Sequence, residues 1–277
     1  MKSFALASPV ALIRPQHFAA AAAQAAALLE NPRFAARADD GEDGDEMWWE
    51  VEDLYGAPLP KPQTVGKTAI IPIKGVITSG LHPIYRVIGF ADTEQIAGWV
   101  RAAAADPAIE EILLRIDSPG GMVTGTPELA AAVAAADRIK PVAAHTSGMM
   151  DSAAYWIASQ ARAVCCTPSA DVGCIGVYQV CYDETAYIEG FGVKATIFKS
   201  GDLKAAGHPH IPMSEAQAAH IQSEIDAIGI LFRAAASARR PIDEDSMRGQ
   251  SFLGTEAKAR GLVDDLCTFE GLLPAAV

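Results

Sequence analysis

From Thr68 onward, short runs of branched apolar residues alternate with helical segments, and that alternation narrows the possible folds more than any other feature. Residues 68–77 (TAIIPIKGVI), 111–116 (EILLRI), 141–145, 163–167, 172–177 and 195–198 have the character of strands. Between them, residues 92–105 place Ile96, Trp99 and Val100 behind a capping Asp92 or Thr93. Residues 126–139 open with Thr126, Pro127 and Glu128: a cap, an N1 proline and an early acid. Further helices are expected over 152–160, over 182–189 and, as a long amphipathic segment, over 214–239. Strands separated by helices demand crossover connections, hence repeated βαβ units and a mainly parallel sheet covered on both faces. The expected class is α/β.

Residues 1–63 read differently. Residues 17–30 (HFAAAAAQAAALLE) favour a helix by propensity, and Asn31-Pro32 ends it. Residues 39–53 then set nine Asp and Glu around Trp48 and Trp49, before a proline-rich connector at 57–62. Such a stretch is a solvated linker, or else the Met47-Trp48-Trp49 cluster docks on the body or on a partner. The expected division is an Ala-rich helix and acidic, partly flexible linker over 1–63, and one folded domain over 64–277. A net charge of −12 argues against nucleic acid as a partner, since phosphate binding needs clustered Lys and Arg. Five cysteines with no C-x-x-C pair fit reduced thiols and offer no zinc-ligand spacing. No uncharged apolar run approaches the roughly 20 residues of a membrane span, and Pro9, Arg14 and Pro15 interrupt the N-terminal apolar stretch before a signal core develops. A soluble, cytoplasmic protein without a membrane anchor is expected.

Three stretches carry chemistry. Ser118-Pro119-Gly120-Gly121 follows a strand-like run, at the end of a parallel strand where α/β folds place ligands. Its glycines can turn backbone N–H groups toward a developing oxyanion, although an ordinary tight turn has the same sequence. Ser152, in MMDSAAYWIAS, stands at a helix start beside small residues; alone, it reads as a helix N-cap. Fifty-two positions later, Lys204 lies in KSGDLKAAG. Alone it is a surface lysine, and a base only if burial or a cationic neighbour keeps it neutral. Lys194 and Lys199 flank a strand and are less suited. A Ser-His-Asp triad using His145, His208 or His210 is the chemical rival, without a G-x-S-x-G elbow or an S-x-x-K spacing to settle the matter.

Five segments together resemble one family. RIDSPGGMVTG (115–125), HTSGMMDSAAYWIAS (145–159), DVGCIGVY (171–178), FKSGDLKAAG (198–207) and GQSFLGTEAKARGLVDDL (249–266) are similar, in order and spacing, to the signal peptide peptidase A family of Ser–Lys peptidases. The phage head-maturation proteases of minor capsid protein C type belong to it. The resemblance implies a Clp protease/crotonase-like fold, Ser152 as nucleophile and Lys204 as general base. It draws the oxyanion hole from Gly120 or Gly121 and the amide of Ala153, with no metal or cofactor. It also implies a ring-like homo-oligomer whose active sites can be shared between subunits. Ala153-Ala154 departs from the usual Gly-Gly after the nucleophile, which narrows substrate approach. The missing anchor, the single catalytic unit and the N-terminal region point to the phage branch, acting in the host cytoplasm or prohead on scaffold, capsid or portal-associated proteins. The chain ends soon after GLVDDL, so a scaffold is expected as a separate protein. Alternatives are a cytosolic signal-peptide or housekeeping peptidase of the same family, a crotonase-like acyl-CoA enzyme, and an inactive structural component of a capsid.

Overall fold

A computed structural model describes residues 61–80 and 89–273, with the backbone of residues 11–13. The expected helix over 17–30 and acidic segment over 39–53 lie outside the described residues. Two sheets organise the rest. In the larger, β3 (Thr68–Lys74), β6 (Glu111–Ser118) and β8 (Val142–Asp151) run parallel, with β6 central. β2 (Gln63–Val65) closes one edge antiparallel to β3. On the other side β8 divides its pairing: its first half lies parallel to β9 (Ala163–Cys166), its last residues parallel to β10 (Asp171–Gly173). β11 (Ser251–Leu253) pairs antiparallel with β10, and β12 (Asp265–Leu266) parallel with β9. The smaller sheet has the order β1 (Ala11–Ile13), β7 (Gly120–Met122), β4 (Val76–Thr78), β5 (Phe90–Asp92). The α/β class and the mainly parallel sheet are therefore as expected.

Local chemistry explains most elements. Asp92 caps α1 (Thr93–Ala105), its carboxylate accepting from Gln95 N–H at 2.9 Å, and the helix buries Ile96, Ala97, Val100 and Ala104 along one stripe. β6 buries Ile112, Leu113, Leu114 and Ile116, the continuous apolar run of a strand covered on both faces. Each such side chain contributes about 1.5–3 kcal/mol relative to exposure. α2 (Thr126–Asp137) differs in its cap: Gly125 occupies that position, while the Thr126 hydroxyl donates to Met122 O at 2.7 Å.

Two expectations fail. Residues 68–77 form two strands, not one, because Gly75 at φ +86° turns the chain from the larger sheet into the smaller. Residues 195–198 form no strand; Phe198 is 94% exposed, and branched residues without a neighbouring edge have nothing to pair with. Between β10 and α5 (Glu215–Ser237) the chain carries only the short α4 (Thr185–Gly190) among its helices and strands. α5, the expected long amphipathic helix, sets Phe232 and Ala236 into the core, with Ile228 and Ala235 partly buried against it. It opens with the Ser214/Gln217 capping box and leaves Ile230 and Leu231, beside that stripe, at 60% and 61% exposure. Among the described residues no helix is long and apolar enough to cross a membrane.

Candidate active site

Ser152 stands where β8 turns into α3 (Ala153–Ala158). The pairing of β6 with β8 passes from Ile116–Thr146 to Ser118–Met150, so β6 advances two residues while β8 advances four. The bulge has identifiable supports. Asp117 accepts from Met149 N–H at 3.4 Å, and the Thr146 hydroxyl accepts from Gly148 N–H at 3.0 Å. A bulge re-aims the residues beyond it. Here those residues are Met150, Asp151 and Ser152, drawn against β10, where Ser152 N–H donates to Gly173 O at 2.7 Å.

Ser152 has φ 56° and ψ −118°, outside the regions that L-residues ordinarily populate, and its side chain makes no capping hydrogen bond. The helix-cap reading of this serine therefore fails. A backbone held there costs on the order of 1–3 kcal/mol and persists only where its surroundings enforce it, a pattern that concentrates at functional sites. Among the described residues two other non-glycines have positive φ, Cys174 and Ala205. Cys174 follows Gly173 and anchors to Gln250 O at 2.6 Å; Ala205 follows Lys204.

The Ser118–Gly121 loop lies close by, since β7 packs against α3. Its two glycines answer separate demands. Gly120 adopts φ +100°, and a Cβ on Gly121 would fall 1.9 Å from Ile77 O of the neighbouring strand. Ser118, fully buried, pins the turn: its hydroxyl donates to Gly75 O at 2.7 Å and accepts from Gly120 N–H at 3.2 Å. Ala153 opens α3, so its N–H has no intrahelical acceptor.

α3 is locked from behind. Tyr155 OH donates to Leu262 O at 2.7 Å, and burial pushes its phenol above its ordinary range. Trp156 stacks on Phe232 of α5 with centroids 4.7 Å apart. Arg240, 4% exposed, donates to Ser159 O at 2.9 Å and Ala161 O at 3.0 Å and pairs with Asp264, placing a cation at the helix C-terminus. In front, Ser251 Oγ donates to Asp151 Oδ1 at 2.7 Å. Sequence reasoning missed Arg240; a basic residue just past a helix end was the available signal.

Lys204 lies in an exposed turn, and its ammonium makes no hydrogen bond or ion pair among the described residues. Its segment is tied to α5 by Gln217 Nε2, which donates to Asp202 O at 3.0 Å. The structure thus brings Ser152, Ala153, Gly120 and Gly121 into adjoining elements, while no hydrogen bond joins Lys204 to Ser152. The histidines are engaged elsewhere. His145 is buried, donates from Nε2 to Cys267 O at 3.1 Å, packs on Phe269, and is held below its usual pKa by burial. His208 Nδ1 accepts from His210 N–H, and His210 pairs with Glu184.

Fold and junction together define an α/β protein with a strained serine at a strand-to-helix turn beside a glycine loop. The chain belongs to peptidase family S49, whose model matches residues 134–276. Capsid assembly protease C of Escherichia phage lambda is 31% identical over 207 residues, covering 74% of this chain and 47% of that protein. Protease 4 of Salmonella typhi is 30% identical over 245 residues, covering 83% of this chain and 38% of that protein. The chain thus spans about half or less of the length of these curated relatives. A solved enoyl-CoA hydratase/isomerase family member superposes with a TM-score of 0.43 at 15% identity, over 76% of this chain and 70% of that one.

Proposed function

We propose that the protein is a serine endopeptidase in which Ser152 is the nucleophile and Lys204 the general base. The observation that carries this reading is the backbone of Ser152, strained at a strand-to-helix turn and free of any capping role. Neutral Lys204 takes the proton as Ser152 Oγ attacks a peptide carbonyl. The oxyanion is held by backbone N–H groups; Gly121 and Ala153 suit this best, because Gly120 N–H already serves Ser118. Collapse expels the amine with the proton from Lys204, and water then releases the acyl-enzyme.

A lysine base must be desolvated, and Lys204 is exposed in the single chain. The stretch of chain leading to it leaves large apolar side chains uncovered, Phe198 at 94%, Phe191 at 71%, Tyr182 at 68% and Leu203 at 42% exposure. Several large apolar side chains left exposed along one stretch support an interaction site there. The dyad is completed when a second subunit covers it, in a homo-oligomer with shared active sites. Similarity to a phage capsid assembly protease supports scaffold or capsid proteins as substrates in head assembly. The test mixes Ser152→Ala and Lys204→Ala proteins and follows cleavage of a casein-like substrate and of a coexpressed scaffold protein. Each variant alone is expected to be inactive and the mixture to regain activity. Full cleavage by Ser152→Ala alone would refute the nucleophile assignment, and a dead mixture would place the dyad within one chain.

A further inference from the structure

The GQSF residues (249–252) have no part in the hydrolytic reading, yet they end beside Ser152. In β10, Gly173 has a neighbour on each side: Asp151 of β8 stands opposite it on one, Ser251 of β11 on the other. Residues in register across a sheet point to the same face, and two strand spacings separate the outer pair by about 10 Å. Their side chains meet over a position that carries none: Ser251 Oγ donates to Asp151 Oδ1 at 2.7 Å. Gly173 adopts φ +127°, and a Cβ there would crowd Gln250 O at 3.0 Å. Asp151 is fully buried, directly before Ser152. Two main-chain bonds frame the same corner: Ser152 N–H donates to Gly173 O at 2.7 Å, and Cys174 N–H to Gln250 O at 2.6 Å. β8, β10 and β11 are thus stitched together at the residue where β8 ends.

We propose that Asp151 and Ser251 are positioning residues for the nucleophile, and that their hydrogen bond holds Ser152 in its strained backbone. The inference rests on the hydrolytic reading above and adds to it the device that aims the serine. A backbone at φ 56°, ψ −118° relaxes unless its surroundings forbid it. On the C-terminal side Ser152 is fixed by α3, itself locked through Tyr155 and Trp156. On the N-terminal side stands Asp151, whose buried carboxyl group is held from β11 by Ser251. Without the Ser251 hydroxyl, that carboxyl group loses a partner in a site closed to water and turns to find another. The backbone of Asp151 moves with it, and the strain on Ser152 is released. Its hydroxyl then misses the scissile carbonyl, and an error of about 1 Å in aim costs about 100-fold in rate. The loss falls on kcat, because alignment with the carbonyl counts in the transition state more than in binding.

Ser251→Ala and Asp151→Ala, each in the full chain, are assayed on fluorescein-labelled casein well below the melting temperature of each variant. kcat is expected to fall about 10- to 100-fold, with KM within about twofold of wild type. The double variant should be no slower than the slower single variant, since the two residues act as one unit. Ser251→Thr, which keeps a hydroxyl, should recover most of the loss. A second comparison needs no activity. Glycine takes φ 56° without strain, so Ser152→Gly should melt above Ser152→Ala in the native background. With Ser251→Ala added to both, that gap in Tm should fall to about half or less, because the strain is no longer imposed. A hydrogen bond that merely added stability would lower both melting temperatures and leave the gap as it was. An unchanged gap, no gap in either background, or a raised KM with unchanged kcat would overturn the positioning proposal. Casein cleavage that survives Ser152→Ala would instead refute the hydrolytic reading and leave the melting comparison standing.

Discussion

Replacing Ser152 separates its backbone from its hydroxyl. Alanine removes the hydroxyl and keeps the requirement for φ 56°, ψ −118°; glycine removes both. Since the side chain makes no capping bond, Ser152→Ala should change stability by no more than about 0.5 kcal/mol. A true N-cap would lose about 0.5–2 kcal/mol in the same exchange. Ser152→Gly releases on the order of 1–3 kcal/mol of backbone strain. Against that stands about 0.4–1 kcal/mol for the extra freedom of glycine in the unfolded chain. The glycine variant should therefore exceed the alanine variant by about 0.5–2 kcal/mol. For a chain of this size that raises Tm by about 2–4 °C per kcal/mol. Urea and thermal unfolding of both variants measure it, with proteolysis assayed in parallel and expected to vanish in each. A loss above 1 kcal/mol in Ser152→Ala would restore the helix cap, and a glycine variant less stable than the alanine variant would refute the strain.

Three further outcomes are expected. Phe232→Ala opens the stack behind Trp156 and should cost about 3–5 kcal/mol, lowering kcat as α3 loosens; denaturant midpoints and turnover report this. Arg240→Met strips donors from the buried carbonyls of Ser159 and Ala161, a loss of about 2–4 kcal/mol by chemical denaturation. His145 gives a pH signature: burial holds its folded pKa below the unfolded value near 6.5, so below that pH the unfolded chain binds more protons. Its contribution is intact above about pH 6.5 and declines as pH falls toward the folded pKa. His145→Gln should flatten that part of the stability curve without altering cleavage, and a loss of cleavage at constant stability would revive a triad.

The α/β alternation was legible because it is written in short-range preferences. Asp92 caps α1 through an atom three residues from its target, and the apolar run of β6 declares a strand buried on both faces. The glycines of residues 118–121 likewise announced a turn near the end of β6. Other features depend on partners distant in sequence. Residues 195–198 have strand-forming side chains but no edge to join, and α5 sets Phe232 and Ala236 into the core while Ile230 and Leu231 stay exposed in the single chain. Arg240 matters only because the carbonyls of Ser159 and Ala161 come to it across some eighty residues.

Ser152 shows both sides of this division. From sequence it was a hydroxyl at a helix start, and as a helix start it is correctly placed. That the serine is strained and uncapped follows from the bulge in β8, the carboxylate of Asp117 and the carbonyl of Gly173, none of which local propensity describes. The alternation of strands and helices was determined by the sequence itself, because those preferences act within a few residues. The aim of the serine, the exposure of Lys204 and the seating of residues 11–13 on β7 were decided by tertiary structure, because each is set by what packs, or fails to pack, against it.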